Sequence, residues 1–250
     1  RGQGRGHPRR GPRVLNDSLL QQSDAHTGHG VGVVVVAAGS GTRLGADRPK
    51  AFVELAGVTI LERAVSGALE TTPAEIAVVV PEDLVGEASA LVAGLDSGAT
   101  RCVVVPGGAE RTDSVSAGLA ALSPVVDRVL VHDAARCLTP ATVFGRVLAA
   151  LDAGATGAIP GVPVVDTIKV VGPDGRITAT PRRETLRAVQ TPQGFDRTVL
   201  AAAHAAGAAA TDDAAMVEAL GHDVLVVEGD ERALKVTTPA DLTRAEQLLR

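Results

Sequence analysis

The sequence predicts a doubly wound α/β fold with a mostly parallel sheet, and three observations carry that expectation. From Val31 onward, short apolar runs alternate with segments of helical period. The runs are near-continuous in Val, Leu and Ile, as strands buried on both faces require. Turns rich in Gly or ending in an acid follow those runs, where ligands bind in such sheets. The 250 residues suffice for one large α/β domain or two small ones. At 45% hydrophobic and 1% aromatic, the core must be aliphatic, with Phe52, Phe144 and Phe195 as its rings.

Taken in order, 31–37 (VGVVVVA), 75–80 (EIAVVV), 101–105 (RCVVV), 128–132 (RVLVH) and 155–159 (ATGAI) read as strands. Between them, 59–70, 82–93, 111–121 and 139–152 carry apolar residues at helical spacing. At 161–190 the pattern breaks. There VVDTIKVV and RITAT flank GPDG, a strong turn signal, which predicts a β-hairpin. Its β-branched, apolar flanks suit an arm lying against a second subunit. Helices at 196–206 and 212–220, a strand at 223–228, a short KVT strand and a last helix at 239–249 follow. TTPAD supplies a capping sequence for that helix, with Pro early and an acid in the first turn.

Residues 1–30 are rich in Arg, Gly, Pro, Gln and His, with little to bury, and read as a disordered extension ahead of a domain at 31–250. Five arginines against two aspartates give this stretch +3, so the net −5 of the chain leaves −8 on the remainder. An acidic body argues against non-specific nucleic-acid binding, so anions must be held at local basic sites. Cys102 and Cys137 lack metal-ligand spacing, as expected of a reduced cytoplasmic protein, and no apolar run approaches membrane-spanning length.

Four stretches carry candidate chemistry. In VVVVAAGSGTRLGADRPK, Gly39, Gly41 and Gly45 let backbone N–H groups approach an anion, and Arg43 adds a forked cation. A Walker loop is excluded because Ala46 follows Gly45, and a dinucleotide fingerprint because Leu44 and Pro81 stand where Gly and an acid belong. Glycines alone fit an ordinary strand-to-helix turn; Arg43 with Lys50, approached through Pro49, favours phosphate. In LVHDAAR a buried strand ends in Asp133, which suits Mg²⁺ shared with substrate phosphates or, equally, a turn former. With no acidic or nucleophilic partner identifiable in the sequence, His132 reads as structural. PGGAERTDS places Gly107 and Gly108 ahead of a helix opened by Arg111, Thr112, Asp113 and Ser114, suited to a base edge or to plain capping. Lys235 in ALKVTTPAD is by itself a surface lysine.

Together AAGSGTRLG…RPK, GGAERTDSV, VHDAAR, VVDTIK, QTPQGF, TDDAAMVEALG and LKVTTPADL resemble, in order, the 2-C-methyl-D-erythritol 4-phosphate cytidylyltransferases, from about Val31 to Leu249. The resemblance implies a Rossmann-like nucleotidyltransferase fold with a protruding β-hairpin dimerisation arm. It implies transfer of a cytidylyl group from CTP to methylerythritol phosphate, with release of pyrophosphate, in the non-mevalonate isoprenoid pathway. By that pattern Arg43, Lys50 and Lys235 are catalytic. Ala37, Ala38, Gly39, Gly41, Gly108, Ser114 and Asp133 surround the nucleotide, with Asp133 on the metal, Mg²⁺. Arg136, Asp166, Thr167, Arg183 and Thr191 handle the second substrate, with Thr167 and Arg183 reaching across from the partner's arm in a homodimer. The chain departs from the family at Ala233, where many relatives carry Asn, at Ala109, where most carry Asp, and at Cys137, where most carry Pro. Two alternatives stay open: a cytidylyltransferase for another polyol phosphate, such as ribitol 5-phosphate, and a non-catalytic nucleotide-binding homologue.

Overall fold

The computed structural model describes residues 30–39, 41–207, 210 and 212–250. The expected extension lies outside them, apart from Gly30. The main sheet runs, from one edge, through β5 (Arg101–Pro106), β4 (Glu75–Val80), β1 (Val31–Val36) and β6 (Arg128–Asp133), all parallel. Beyond β6 lies β11 (Gln193–Asp196), antiparallel to it, and then β7 (Gly157–Pro163). Two more strands flank β7: β10 (Arg187–Val189), antiparallel, beside its end, and β12 (Val224–Glu228), parallel, along its other side.

Alternation along β1 divides the core. Val33 and Val35 pack with α1 (Ile60–Leu69), α2 (Val85–Ala93), α4 (Ala141–Asp152) and α7 (Pro239–Leu248) on one face. Val34 packs with α3 (Arg111–Ala121), α5 (Arg197–Ala205) and α6 (Asp213–Ala219) on the other. Helices on both faces of a mainly parallel sheet are the predicted doubly wound fold. Among the described residues no helix is long and apolar enough to cross a membrane.

Local chemistry sets the helix starts. Thr238 and Asp241 form a capping box with Pro239 in the first turn of α7, as TTPAD predicts. At α3 the box is made by Glu110 and Asp113, not by Thr112. Gly118 lies where α3 crosses β1: a Cβ there would stand 2.4 Å from Val34 Cγ1 and 3.0 Å from Val79 Cγ2. Gly118→Ala should therefore lower the unfolding midpoint, overpacking of this kind costing about 1–3 kcal/mol, against the gain of up to ~1 kcal/mol from helix propensity. An unchanged or raised midpoint in thermal denaturation would mean that α3 can move off the sheet freely.

Several expectations need correction. The KVT strand does not form. Around it, Val236 N–H reaches Ala135 O and Thr237 N–H is taken by the Asp241 carboxylate, so no ladder can propagate. The arm's ladder is shorter than VVDTIKVV and RITAT suggest. Only β8 (Val170–Val171) and β9 (Ile177–Ala179) pair, with a bulge, because an isolated hairpin lacks a third strand to extend it. The small hairpin of β2 (Glu54–Leu55) and β3 (Val58–Thr59), together with β10 and β11, escapes the periodicity reading, since two to four residues carry too little of it.

Candidate active site

A cleft opens at the carboxyl ends of β1, β5 and β6. Ala37, Ala38 and Gly39 follow β1, Gly108 and Arg111 follow β5, and Asp133 closes β6; Lys50, Ser114 and Lys235 complete the wall. Eight of the predicted site residues, Ala37, Ala38, Gly39, Lys50, Gly108, Ser114, Asp133 and Lys235, thus converge on one space. Ser114 is buried and its hydroxyl donates to Glu110 O at 3.2 Å, inside its own helix.

Asp133 is the electrostatic centre. Its Oδ2 lies 2.7 Å from Lys235 Nζ and its Oδ1 3.3 Å from Arg111 Nε. Burial alone would push its carboxyl up, but Arg111 and Lys235, with Arg136 behind them, outweigh burial and hold it at about 2. It is therefore ionised at every physiological pH. Arg111 is shifted the other way. Burial lowers it, yet Asp213 and Asp133 prevail and raise it.

Lys50 makes no ion pair among the described residues. Burial, then the charge of Lys235, then that of Arg43, lower its pKa, while Asp133 and Asp241 work against them. Its stem is fixed by the glycine turn: Gly41 has φ +65°, and a Cβ there would lie 2.4 Å from Lys50 Cβ. Leu44, buried, roots the same turn in the core, which leaves Arg43 exposed beside the cleft.

The remaining predicted residues lie elsewhere. Arg136 turns from the cleft wall to donate from Nη1 to Ala233 O at 2.7 Å and from Nη2 to Val189 O at 3.1 Å. Asp166, Thr167 and Arg183 are exposed on the arm, where Arg183 Nη1 donates to Val165 O at 2.9 Å. Thr191 is buried behind Asp133. Its hydroxyl oxygen accepts the Asp133 N–H at 3.1 Å and shares a hydrogen bond of 3.1 Å with His132 Nδ1. In this chain alone it supports the strand end from behind. Burial lowers His132 to about 4, so the ring is neutral, packed 5.0 Å from Phe144, and structural as expected.

Sequence reasoning named Arg111 only as a helix opener and missed Asp213. The available signal was the doubled acid of TDDAAM before an apolar helix. Asp212 caps α6 by accepting from Ala215 N–H, while Asp213 turns inward, fully buried, 2.8 Å from Arg111 Nη1.

This constellation of cations around one strand-end carboxylate agrees with the sequence comparisons. The model of the family described as 2-C-methyl-D-erythritol 4-phosphate cytidylyltransferase (IspD) matches residues 31–250. The chain belongs to that family. It is 50% identical over 218 residues to the enzyme of that name from Rhodococcus jostii (strain RHA1), covering 86% of this chain and 93% of the relative. It is 53% identical over 239 residues to a bifunctional IspD/IspF enzyme from Clavibacter michiganensis subsp. michiganensis (strain NCPPB 382), covering 94% of this chain but 58% of that longer protein. Among solved structures, 4-diphosphocytidyl-2C-methyl-D-erythritol synthase from Anaerococcus prevotii DSM 20548 superposes with a TM-score of 0.78 at 27% identity, over 89% of this chain and 99% of the other. The cytidylyltransferase from Thermus thermophilus gives 0.70 at 36% identity, over 87% and 98%.

Against the cytidylyltransferase pattern, the three departures are accommodated locally. Ala233 is fully buried and offers its carbonyl to Arg136, and Lys235 reaches Asp133 without a side-chain amide at 233. Cys137 is buried, its thiol pushed up to about 11 mainly by that burial, and is poorly reactive. Ala109 lines the cleft as a methyl group.

Proposed function

We propose that this chain transfers the cytidylyl group of CTP to 2-C-methyl-D-erythritol 4-phosphate. An oxygen of the polyol phosphate bonds to the α-phosphorus, the bond from that phosphorus to the bridging oxygen breaks, and pyrophosphate leaves. The observation that carries the reading is the convergence of Lys50, Lys235, Arg111 and Asp133 on one cleft at the strand ends. The attacking phosphate is already a nucleophile, so no Ser, Cys or His base is needed. Catalysis reduces to alignment and to neutralising charge as the leaving group departs.

Arg43 and Lys50 take the β- and γ-phosphates and stabilise the transition state, and Lys235 serves the α-phosphate. Ala37, Ala38, Gly39, Gly41, Gly108 and Ser114 enclose the nucleotide. Asp133 fits a divalent cation shared with substrate phosphates: it is ionised and faces the cleft, and a single carboxylate suits Mg²⁺, no group of three or more His, Cys, Asp or Glu able to hold a metal ion being present among the described residues. Mg²⁺ bound there would neutralise triphosphate charge. Arg136, Asp166, Thr167, Arg183 and Thr191 serve the polyol phosphate.

The arm supports a homodimer in which Thr167 and Arg183 reach the partner's cleft. Val165, Val171 and Ile177 are 78%, 55% and 61% exposed, more apolar surface than a lone hairpin keeps in water. The free cysteines Cys102 and Cys137 fit a cytoplasmic enzyme.

The deciding experiment is pyrophosphate release from CTP and Mg²⁺, with methylerythritol phosphate and ribitol 5-phosphate side by side. Turnover with the first alone is expected, abolished by EDTA and restored by Mg²⁺. Turnover with ribitol 5-phosphate alone would move the substrate; silence with both would leave a nucleotide-binding homologue. Arg183→Glu should raise KM for the polyol phosphate by about tenfold or more, with CTP binding changed far less. Equal losses in both would contradict the arm's role.

A further inference from the structure

Behind the cleft, Arg111 begins a chain of polar contacts through buried Asp213 and His204 to exposed Ser116, and the reaction as described does not use the last three. Asp213, at the start of α6, is fully buried, and each of its oxygens is taken by a different side chain. Oδ2 lies 2.8 Å from Arg111 Nη1 and Oδ1 lies 2.9 Å from His204 Nε2 on α5. A carboxylate accepts, so Nε2 carries the proton, and Nδ1 is 3.2 Å from the Ser116 hydroxyl on α3. Arg111 is thus held between two acids, with its shorter contact to Asp213 and its longer one, 3.3 Å, to Asp133.

We propose that Asp213 and His204 are positioning residues that fix Arg111, so that its contact to Asp133 stays single and longer and Lys235 keeps its place on Oδ2. The inference rests on the cytidylyl-transfer reading. A guanidinium beside a lone carboxylate closes on it in a two-pronged pair, the strongest arrangement open to it. Such closure would occupy both Asp133 oxygens and displace Lys235 from Oδ2. Asp213 opposes this by anchoring Nη1 at 2.8 Å, which fixes the guanidinium where Nε is its one contact to Asp133. His204 in turn fixes the carboxylate of Asp213, and Ser116 fixes the ring. The three helices that contribute, α3, α5 and α6, pack on the same face of the sheet, so the anchor is built into the core.

The test compares Asp213→Asn, His204→Gln, His204→Leu, Arg111→Gln and the Arg111→Gln/Asp213→Asn pair with the unaltered chain. The readouts are kcat for pyrophosphate release, the Kd for CTP from calorimetry, and the unfolding midpoint. Asp213→Asn is expected to lower kcat by about tenfold or more, the usual scale for loss of a supporting partner behind a site, with Kd for CTP within about threefold. In the Arg111→Gln background the same change should have almost no further effect on kcat, because Asp213 acts through Arg111. Gln at 204 can still donate to Asp213 and should retain more turnover than Leu. If Asp213→Asn fails to fold, the comparison of the two His204 variants decides. Losses that multiply in the double variant, an unchanged kcat in Asp213→Asn, or equal activity of His204→Gln and His204→Leu would each overturn the proposal. No turnover in the unaltered chain would instead remove the cytidylyl-transfer reading itself.

Discussion

Lys50→Ala is expected to lower turnover by about 10²–10³ while the fold and most CTP affinity survive. Lys50 is half-buried and lines the cleft, and among the described residues it has no carboxylate partner of its own. Its charge is therefore available to an anion that arrives with the substrate. Removing it leaves no buried acid orphaned, which is why stability should change little. A cation waiting for charge that develops as pyrophosphate departs stabilises the transition state more than the bound substrate, so the loss should fall on kcat. Near-normal kcat in the variant would remove Lys50 from the chemistry.

The same lysine predicts a pH dependence. Burial and the charges of Lys235 and Arg43 lower its pKa. If Lys50 acts as a cation, as proposed, activity should fall as pH rises through the lowered value, with an alkaline limb that begins below the ordinary lysine range. Lys50→Arg, which stays charged, should move that limb upward even if it turns over slowly. An alkaline limb unmoved by the substitution would assign it to another group.

How far the sequence could be read follows from where its signals are local. Val31–Val36 and Glu75–Val80 are long apolar runs, and their burial on both faces is a property of the run itself. Asp133 was legible because it ends such a run, and Gly41 because a turn announces itself. β11 was not legible. It is four residues long and antiparallel in a parallel neighbourhood, and only its pairing with β6 and β7 makes it a strand. Arg111 and Asp213 are 102 positions apart, and no spacing rule links them; α3 and α6 must pack before the pair exists. Thr191 shows the opposite limit. Within this chain its hydroxyl bonds to His132 and the Asp133 amide, a support for the strand end that its motif does not announce.

Asp133→Asn should give a turnover loss at least as large as that of Lys50→Ala, together with a measurable loss of stability. Asp133 is 8% exposed, and its carboxylate sits between Lys235 and Arg111. Asn keeps the shape but removes the charge that offsets two cations at close range, leaving them to repel each other and any bound metal ion. The sign of the pH effect follows from the carboxyl being held at about 2, below its ordinary 3.8. Stability from this group, on the order of 2 kcal/mol, is fully present above pH ~4 and is lost as pH falls toward 2. Acid denaturation of the unaltered chain should therefore contain a component in that window that Asp133→Asn lacks. At neutral pH the variant should unfold at a lower temperature. If instead it matches the unaltered chain in both kcat and acid stability, the two contacts to Asp133 contribute nothing, and the cleft's charge balance must be set by Asp213 alone.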